Sequence, residues 1–394
     1  MNNSGIVEKS PIIGVSYGTA VAIGLIKSQK RVPMPTAQVL LGDSCLYSCE
    51  YCSVGTKQLA RIKWYKVEYA TLLKLLKKQI AKKSIKRICL QVTSSGISFS
   101  LCAVSDFISL GAKVSVSVRT LNESYVDKLI SAGADTISIA LDAVTPSIAE
   151  KIGRGDFHEH LDFLLKLSEK YPGKIATHII IGFGETEKEC SELLKLLHSH
   201  KIRVGLFAFT PVKGTKLAEY PRPSINHYRR VQVLNYLLNQ SQAYAPNFNS
   251  KGELVGFSNV PELAFRTSGC DDCTRPFYDS SRKAMYNYHR RLSQNEYLQA
   301  LKEARIYEAS VVYKAGKLIK INFSHDYSSI LSISVHGDFF IHPEEAIEVL
   351  EQSLVGCPLD KGSIVESVKA ALSNAEVFGF SPEDIAQAIL SSIA

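Results

Sequence analysis

The sequence predicts an α/β protein: a complete or partial TIM-type (β/α) barrel followed by a small α+β domain. Two patterns and a charge asymmetry carry that prediction. As far as residue 260, short β-branched runs alternate with amphipathic helical stretches, the rhythm of a parallel sheet with crossover helices. Past about residue 305 the text alternates apolar and polar residues, as antiparallel strands with one wet face do. Overall 46 Lys and Arg face 38 Asp and Glu, but from Leu301 onward 7 face 13, so that segment is −6 and the rest +14. A change of sign along a chain supports a boundary there.

In order, residues 1–36 read as an N-terminal helical extension. Its apolar stretch VSYGTAVAIGLIK is too short to span a membrane and lacks the basic lead-in of a secretion signal. Residues 37–300 read as the barrel, with strands at AQVLLG (from Ala37), KRICLQVT (Lys86), AKVSVSV (Ala112), DTISIAL (Asp135), KIATHIII (Lys174), IRVGLFAF (Ile202) and ELVGFS (Glu253). Helical spacing falls between them at VEYATLLKLLKKQIAKK, NESYVDKLISAGA, HEHLDFLLKLSEKY and EKECSELLKLLHSHK. No Gly-rich dinucleotide fingerprint accompanies them, which favours a barrel over a doubly wound sheet. In a barrel the chemistry sits at the carboxyl ends of the strands, and Cys45 follows the first strand closely. After YAPNFNSKGE come a cysteine-bearing loop at 266–278, RTSGCDDCTRPFY, and a helix at NEYLQALKEAR. Residues 301–394 form the second domain, with strands through EASVVYKAGKLIKINFSHDYSSILSISVHGDFFIHP. Two helices, PEEAIEVLEQSLVG and SPEDIAQAILSSI, are each opened by Pro and acids.

Composition narrows the class. Hydrophobic residues make up 45% and mean hydropathy is +0.01, with no membrane span expected. Nine cysteines without framework spacing point to a reducing compartment, the cytoplasm. No RNA-reading motif accompanies the basic charge, so no nucleic-acid partner is expected.

The segment GDSCLYSCEYCSVGT places Cys45, Cys49 and Cys52 at C-x3-C-x2-C. Three thiolates hold three irons of a four-iron, four-sulfur cube and leave one iron open to a small chelating molecule. Structural zinc wants four ligands, so a zinc knuckle would need a His or Cys from elsewhere. This spacing, with aromatic Tyr51 before the last Cys, resembles the radical S-adenosylmethionine superfamily. The resemblance implies that Cys45, Cys49 and Cys52 bind a 4Fe-4S cluster. Its open iron takes the amino and carboxylate groups of S-adenosyl-L-methionine, whose reductive cleavage yields a hydrogen-abstracting 5′-deoxyadenosyl radical.

Other stretches carry the resemblance into the biotin-synthase-like branch, over about residues 37 to 215. HIIIGFGETEKE is similar to the adenine-facing G-x-I-x-G-x-x-E text: Ile180, Gly182 and Glu185 match, and His178 stands in place of the first Gly. RGDFHEHLDFLL offers Arg154 for the methionine carboxylate, Asp142 in IALDAVTP matches an acid near the ribose, and Ser94 or Ser95 in VTSSG is expected to hold the amino group.

Cys270 and Cys273 read alone as half a zinc site, a redox pair or part of an auxiliary iron-sulfur cluster. Cys89 matches one auxiliary ligand of biotin synthase, but Ala176 occupies a second ligand place and the third strand supplies none. The loop with Arg275, Pro276, Phe277 and Tyr278 resembles a subunit of the two-protein archaeal-type lipoyl synthase. Cys89, Cys270 and Cys273 are thereby expected at an auxiliary cluster, of 4Fe-4S type by that resemblance, with Ser268 or Arg266 as an unusual extra ligand. Cys102, Cys190 and Cys357 read as buried inert thiols.

GDFFIHPEE and its surroundings, about 306 to 394, resemble the C-terminal domain of lipoate-protein ligases. Gly337, Asp338, Phe339 and Phe340 read there as a tight turn with an aromatic core pair or as substrate contacts. Without the ligase's catalytic domain the chain is not expected to activate lipoate alone. Together the resemblances imply a radical enzyme that inserts sulfur at carbon 6 or 8 of a protein-bound octanoyl-lysine. Its implied partners are an octanoylated carrier domain (a 2-oxoacid dehydrogenase E2 or a glycine cleavage H protein), a second radical subunit, a lipoate ligase catalytic subunit and an electron donor such as ferredoxin. Biotin-synthase-like sulfur insertion into another substrate, or a noncatalytic accessory role to a ligase, are the alternatives.

Overall fold

The computed structural model describes residues 12–28, 33–52, 54, 64–240, 244–249, 251–255, 260–274, 285–304, 307–326 and 328–393. The chain divides into two compact units: Met1–Glu185 with Leu193–Pro223 and Arg266–Arg290, and Thr186–Glu192 with Ser224–Phe265 and Arg291–Ala394. The boundary is therefore interleaved, where the sequence placed one cut at residue 300.

The first unit is built on eight strands, β1 (Ile12–Val15), β2 (Thr36–Leu41), β3 (Tyr65–Glu68), β4 (Arg87–Val92), β5 (Lys113–Val118), β6 (Thr136–Ile139), β7 (Ile175–Ile181) and β8 (Arg203–Ala208). Their order is β3-β1-β2-β4-β5-β6-β7-β8. The six from β2 to β8 that carry the expected text run parallel, while β1 pairs antiparallel with β2 and β3. The edge strands β3 and β8 do not pair, so the barrel is partial. All four residues of β6 are buried, as expected of a parallel strand covered on both faces.

Crossover segments are helical: α1 (Tyr17–Ala22), α2 (Tyr69–Ala81), α3 (Ile97–Ser109), α4 (Glu123–Ser131), α5 (Pro146–Lys151), α6 (Phe157–Lys170) and α7 (Glu187–Ser199). Their starts are specified locally. Asn122 Oδ1 accepts the Tyr125 N–H and Asp156 Oδ1 that of Glu159, each at 3.0 Å, satisfying backbone donors that a first helical turn leaves open.

Three expectations change here. The N-terminal extension is not wholly helical, because Ile13 and Val15 are buried on a strand while Ile12 is exposed. That two-residue period is hidden inside a continuous apolar run. Of ELVGFS, Leu254–Val255 is extended and pairs with Asn247–Phe248 in a separate sheet, while residues 256–258 lie outside the described residues. Cys102 is exposed, its Sγ 3.7 Å from Asp106 Oδ2, whereas Cys190 and Cys357 are buried as read.

The second unit holds α8 (Ile225–Gln240), β9 (Asn247–Phe248), β10 (Leu254–Val255), α9 (Gln294–Glu303) and the C-terminal elements. Sequence pattern missed α8 because it buries polar residues. Arg229 Nε meets Glu303 Oε2 at 2.9 Å and Arg230 Nε meets Glu187 Oε2 at 3.0 Å, which erases the amphipathic period. Beyond it β11 (Tyr307–Lys314), β12 (Leu318–His325) and β13 (Ile330–Gly337) form an antiparallel sheet, and β14 (Phe340–His342) pairs with β15 (Glu376–Phe378). The helices α10 (Ala346–Leu354), α11 (Lys361–Ala371) and α12 (Pro382–Ser391) supply Leu350, Ile364, Val368, Ile385 and Ile389 to a core shared with Ile319, Ile321 and Val335. The expected aromatic core pair is half right: Phe339 packs edge-on against Phe380 at 4.9 Å, but Phe340 is 61% exposed.

Candidate active site

The loop after β2 leaves the sheet at Gly42. Its φ is +90°, and a Cβ there would lie 2.7 Å from the backbone nitrogen of Gly96, so only glycine fits. The turn lays the cysteine loop across residues 94–96. Ser95 Oγ accepts the N–H groups of Asp43 and Ser44, each at 3.2 Å, and Ser94 Oγ accepts that of Leu46 at 2.7 Å. Both hydroxyls thus secure the loop, and neither lines the cavity beside it. Thr93 is the residue of this turn that lines the cavity beside it.

Cys45, Cys49 and Cys52 are half-buried and face one cavity of about 360 Å³ at the carboxyl ends of the strands, with Gln91, Arg119, Asp142, Arg154 and Ile180 on its walls. Its size lies within the ordinary range for small-molecule sites. Arg154 enters from a turn between Gly153 (φ +69°) and Gly155 (φ +84°). Its Nη1 lies 3.7 Å from Cys49 Sγ, its Nε lies 3.4 Å from Asp142 Oδ2, and its Nη2 donates to the Ala140 carbonyl. Tyr51 Oη donates to Asp142 Oδ2. Burial, then the Asp142 carboxylate, push the Tyr51 phenol well above its usual range. Burial opposes the charge of Arg154, but Asp142, Tyr51 and Cys49 outweigh it and raise its affinity for the proton. Burial also raises the Cys52 thiol.

Asp142 holds a left-handed backbone, φ +63°, a conformation uncommon outside glycine that persists where surroundings impose it. Here β7 imposes it: Asp142 N donates to His178 O at 2.8 Å and Ile180 N to Asp142 O at 3.1 Å. Gly182 and Glu185 stand back from the cavity. The Glu185 carboxylate accepts the N–H of Gly182 at 2.6 Å and of Phe183 at 2.9 Å, shaping the turn that ends β7.

Sequence reading missed Arg119. Its Nη1 lies 3.2 Å from Cys49 Sγ and its guanidinium stacks 3.9 Å from the centre of the Tyr47 ring. Its position just past β5, in SVSVRT, was the available signal, since barrel chemistry gathers at strand ends.

A second cavity, about 30 Å³, lies deeper along the same strands and is lined by Cys89, Cys270 and Cys273 with Arg87, Ser115 and Ser268. Cys89 stands two residues before Gln91 on β4, a rise of about 6.6 Å. Ser117, His178 and Phe207 line both cavities. The cysteine loop is tied to the amino-terminal ends of the strands. Arg87 Nε donates to Asp271 O at 3.2 Å, Thr36 Oγ1 to Asp272 O at 2.6 Å, and Leu206 N to Ser268 Oγ at 3.0 Å. Arg87 Nη1 also meets Asp135 Oδ2 at 2.6 Å. Arg275, Pro276, Phe277 and Tyr278 lie outside the described residues.

Among the described residues no three His, Cys, Asp or Glu side chains close tightly enough to hold one metal ion. A single ion needs every ligand about 2.3 Å from one point; cluster thiolates bond to different irons and need not meet. Those bonds also run inside van der Waals contact, so a cavity of about 30 Å³ still accommodates atoms bonded to its walls. On donor chemistry both thiol sets fit iron-sulfur clusters.

Residues 39–197 match the Radical SAM superfamily, and residues 307–389 match the bacterial lipoate protein ligase C-terminus. A lipoyl synthase of Caldicellulosiruptor saccharolyticus is 25% identical over 203 residues, 50% of this chain and 67% of its own length. A biotin synthase of Buchnera aphidicola is 26% identical over 197 residues, 48% of this chain and 56% of its own. Ribosomal protein uS12 methylthiotransferases also match, and this chain spans between 21% and 67% of the lengths of these relatives. Among solved structures, one from the archaeal lipoylation system of Thermoplasma acidophilum, a bipartite lipoate protein ligase with its E2 lipoyl domain, is 30% identical over 21% of this chain and 96% of its own, with a TM-score of 0.20.

Proposed function

We propose that this chain, which carries a radical SAM superfamily domain and a lipoate protein ligase C-terminal domain, is a lipoyl synthase subunit inserting sulfur at carbon 6 or 8 of a protein-bound octanoyl-lysine. The observation that carries this reading is the stacking of two thiol sets in one barrel, Cys45, Cys49 and Cys52 over Cys89, Cys270 and Cys273, with Ser117, His178 and Phe207 common to both cavities. The superfamily implies a 4Fe-4S cluster and S-adenosylmethionine. Bound there, they supply a hydrogen-abstracting radical at the mouth, and an auxiliary cluster on the deeper thiols supplies sulfide.

The chain's own residues do the aiming. Arg119 and Arg154 present guanidinium groups to an anionic ligand beside Cys49, and a planar fork suits a carboxylate. Asp142, braced by β7, orients Arg154 and Tyr51. Phe207 and Ile180 give an acyl chain an apolar wall, and the narrow interior excludes water from the reacting carbon. The C-terminal unit is the candidate docking module for an octanoylated carrier or a ligase subunit, with a related radical subunit serving the other carbon and a ferredoxin-type protein supplying electrons.

Mass spectrometry after anaerobic reconstitution tests the reading. With reductant and S-adenosylmethionine, an octanoyl-lysyl peptide should gain sulfur and 5′-deoxyadenosine should accumulate. Sulfur entering dethiobiotin instead, or 5′-deoxyadenosine without a thiolated peptide, would overturn it. The biotin synthase relative is the observation behind the dethiobiotin arm.

A further inference from the structure

We propose that Ser115 is an oxygen ligand of the group held by Cys89, Cys270 and Cys273, completing a site of three thiolates and one alkoxide. The proposal rests on the auxiliary-cluster reading and names the donor that reading lacks. Cys89 and Ser115 are register partners on the parallel strands β4 and β5. Neighbouring strands run about 4.8 Å apart, so the two side chains stand level, and both line the deeper cavity.

Ser115 is 2% exposed, and its Oγ has no hydrogen-bond partner. A buried hydroxyl left unsatisfied costs free energy and calls for an explanation. Three other hydroxyls on that wall are engaged: Thr36 Oγ1 with Asp272 O at 2.6 Å, Ser138 Oγ with His178 Nε2 at 3.1 Å, and Ser268 Oγ with the Leu206 N–H at 3.0 Å. Ser115 is therefore a better donor than Ser268, which the sequence suggested.

The cation of the site points the same way. Arg87 is 1% exposed and lines the cavity, and two of its nitrogens are held by Asp271 O and Asp135. Its remaining Nη2 is buried without a partner. Both N–H groups of Nη2 are thus left for an anionic group beside Cys89 and Ser115, where three thiolates and an alkoxide would place negative charge. Ligation forms an iron–oxygen bond and releases the hydroxyl proton to solvent, as metal binding by protonated ligands does; nothing is oxidised or reduced.

The test uses the full chain with Cys45, Cys49 and Cys52 all replaced by Ala, reconstituted anaerobically with iron and sulfide, so that only the deeper set can bind iron. With Ser115 intact, about four irons per chain are expected. Ser115→Cys should keep that content and shift the Mössbauer parameters of one iron, while Ser115→Ala should lose about one iron in four and show a three-iron EPR signal on oxidation. Circular dichroism, together with the retained iron of Ser115→Cys, separates a lost ligand from a lost fold. Ser115→Ala keeping the iron content and spectrum of its parent overturns the Ser115 assignment and leaves the auxiliary-cluster reading standing. No iron in the parent itself overturns both.

Discussion

The two thiol sets are built by different means. Cys45, Cys49 and Cys52 fall on one loop within eight residues, held by Ser94, Ser95 and the Gly42 turn. Cys89 and the Cys270–Cys273 pair are about 180 residues apart in sequence, and only the sheet and its anchored loop bring them to one cavity. Their surroundings differ as well. The mouth is open, about 360 Å³, with Arg119 and Arg154 beside one sulfur; the interior is closed, about 30 Å³, and its cation is already tied to Asp135. An open site with two guanidinium forks suits a ligand that comes and goes. A closed one suits a group bonded to its walls.

The sharpest break in this comparison is a pair of alanine variants. Cys49→Ala should abolish both 5′-deoxyadenosine and thiolated product, at least a thousandfold by chromatography of quenched reactions. Cys89→Ala should keep 5′-deoxyadenosine and lose only the sulfur product. Identical losses in the two variants would erase the distinction between a radical set and a sulfur set. The exposed Cys102, changed to Ser, is the control and should leave both products unchanged.

A smaller effect is expected at the mouth cations. Arg119→Ala should weaken S-adenosylmethionine binding about tenfold or more, the worth of one charge-assisted hydrogen bond, read by isothermal calorimetry on reconstituted protein. Unchanged affinity would leave Arg119 as a partner of Tyr47 and Cys49 with no part in binding that ligand.

The smallest effect belongs to the interior cation. Burial works to raise the Asp135 carboxyl, but the Arg87 guanidinium and the Thr136 hydroxyl hold it below its usual value. Stability from this pair is therefore present above the unfolded carboxyl range, about pH 4, and lost as pH falls through the lowered folded value. Asp135→Asn should be less stable than wild type at pH 7 by chemical denaturation, and the difference should shrink below about pH 4. A gap that stays constant with pH would show that packing, not the ion pair, holds Arg87.

Much of this was legible because it is local. Six parallel strands announced themselves as β-branched runs, and the C-x3-C-x2-C spacing needs no fold to bring its thiols together. Asp142, Arg154 and Ile180 came from the resemblance: Asp142 lies just past β6 and Ile180 on β7, while Arg154 sits in the turn between α5 and α6. The anchoring of the cysteine loop by Ser94 and Ser95 was not legible, since a serine in sequence does not reveal which backbone groups its hydroxyl meets. Helix α8 escaped because its buried face carries Arg229 and Arg230, whose partners Glu303 and Glu187 are far away in the chain.

By itself the sequence determined the parallel α/β rhythm, the antiparallel C-terminal text and the mouth cysteines, all set by spacings of two to seven residues. The tertiary structure alone decided that Arg119 joins Arg154 at Cys49, that Ser115 stands level with Cys89, and that a loop from beyond residue 265 closes the interior. Strand register and long-range hydrogen bonds fix those neighbours, and neither is written in the local periodicity of a chain.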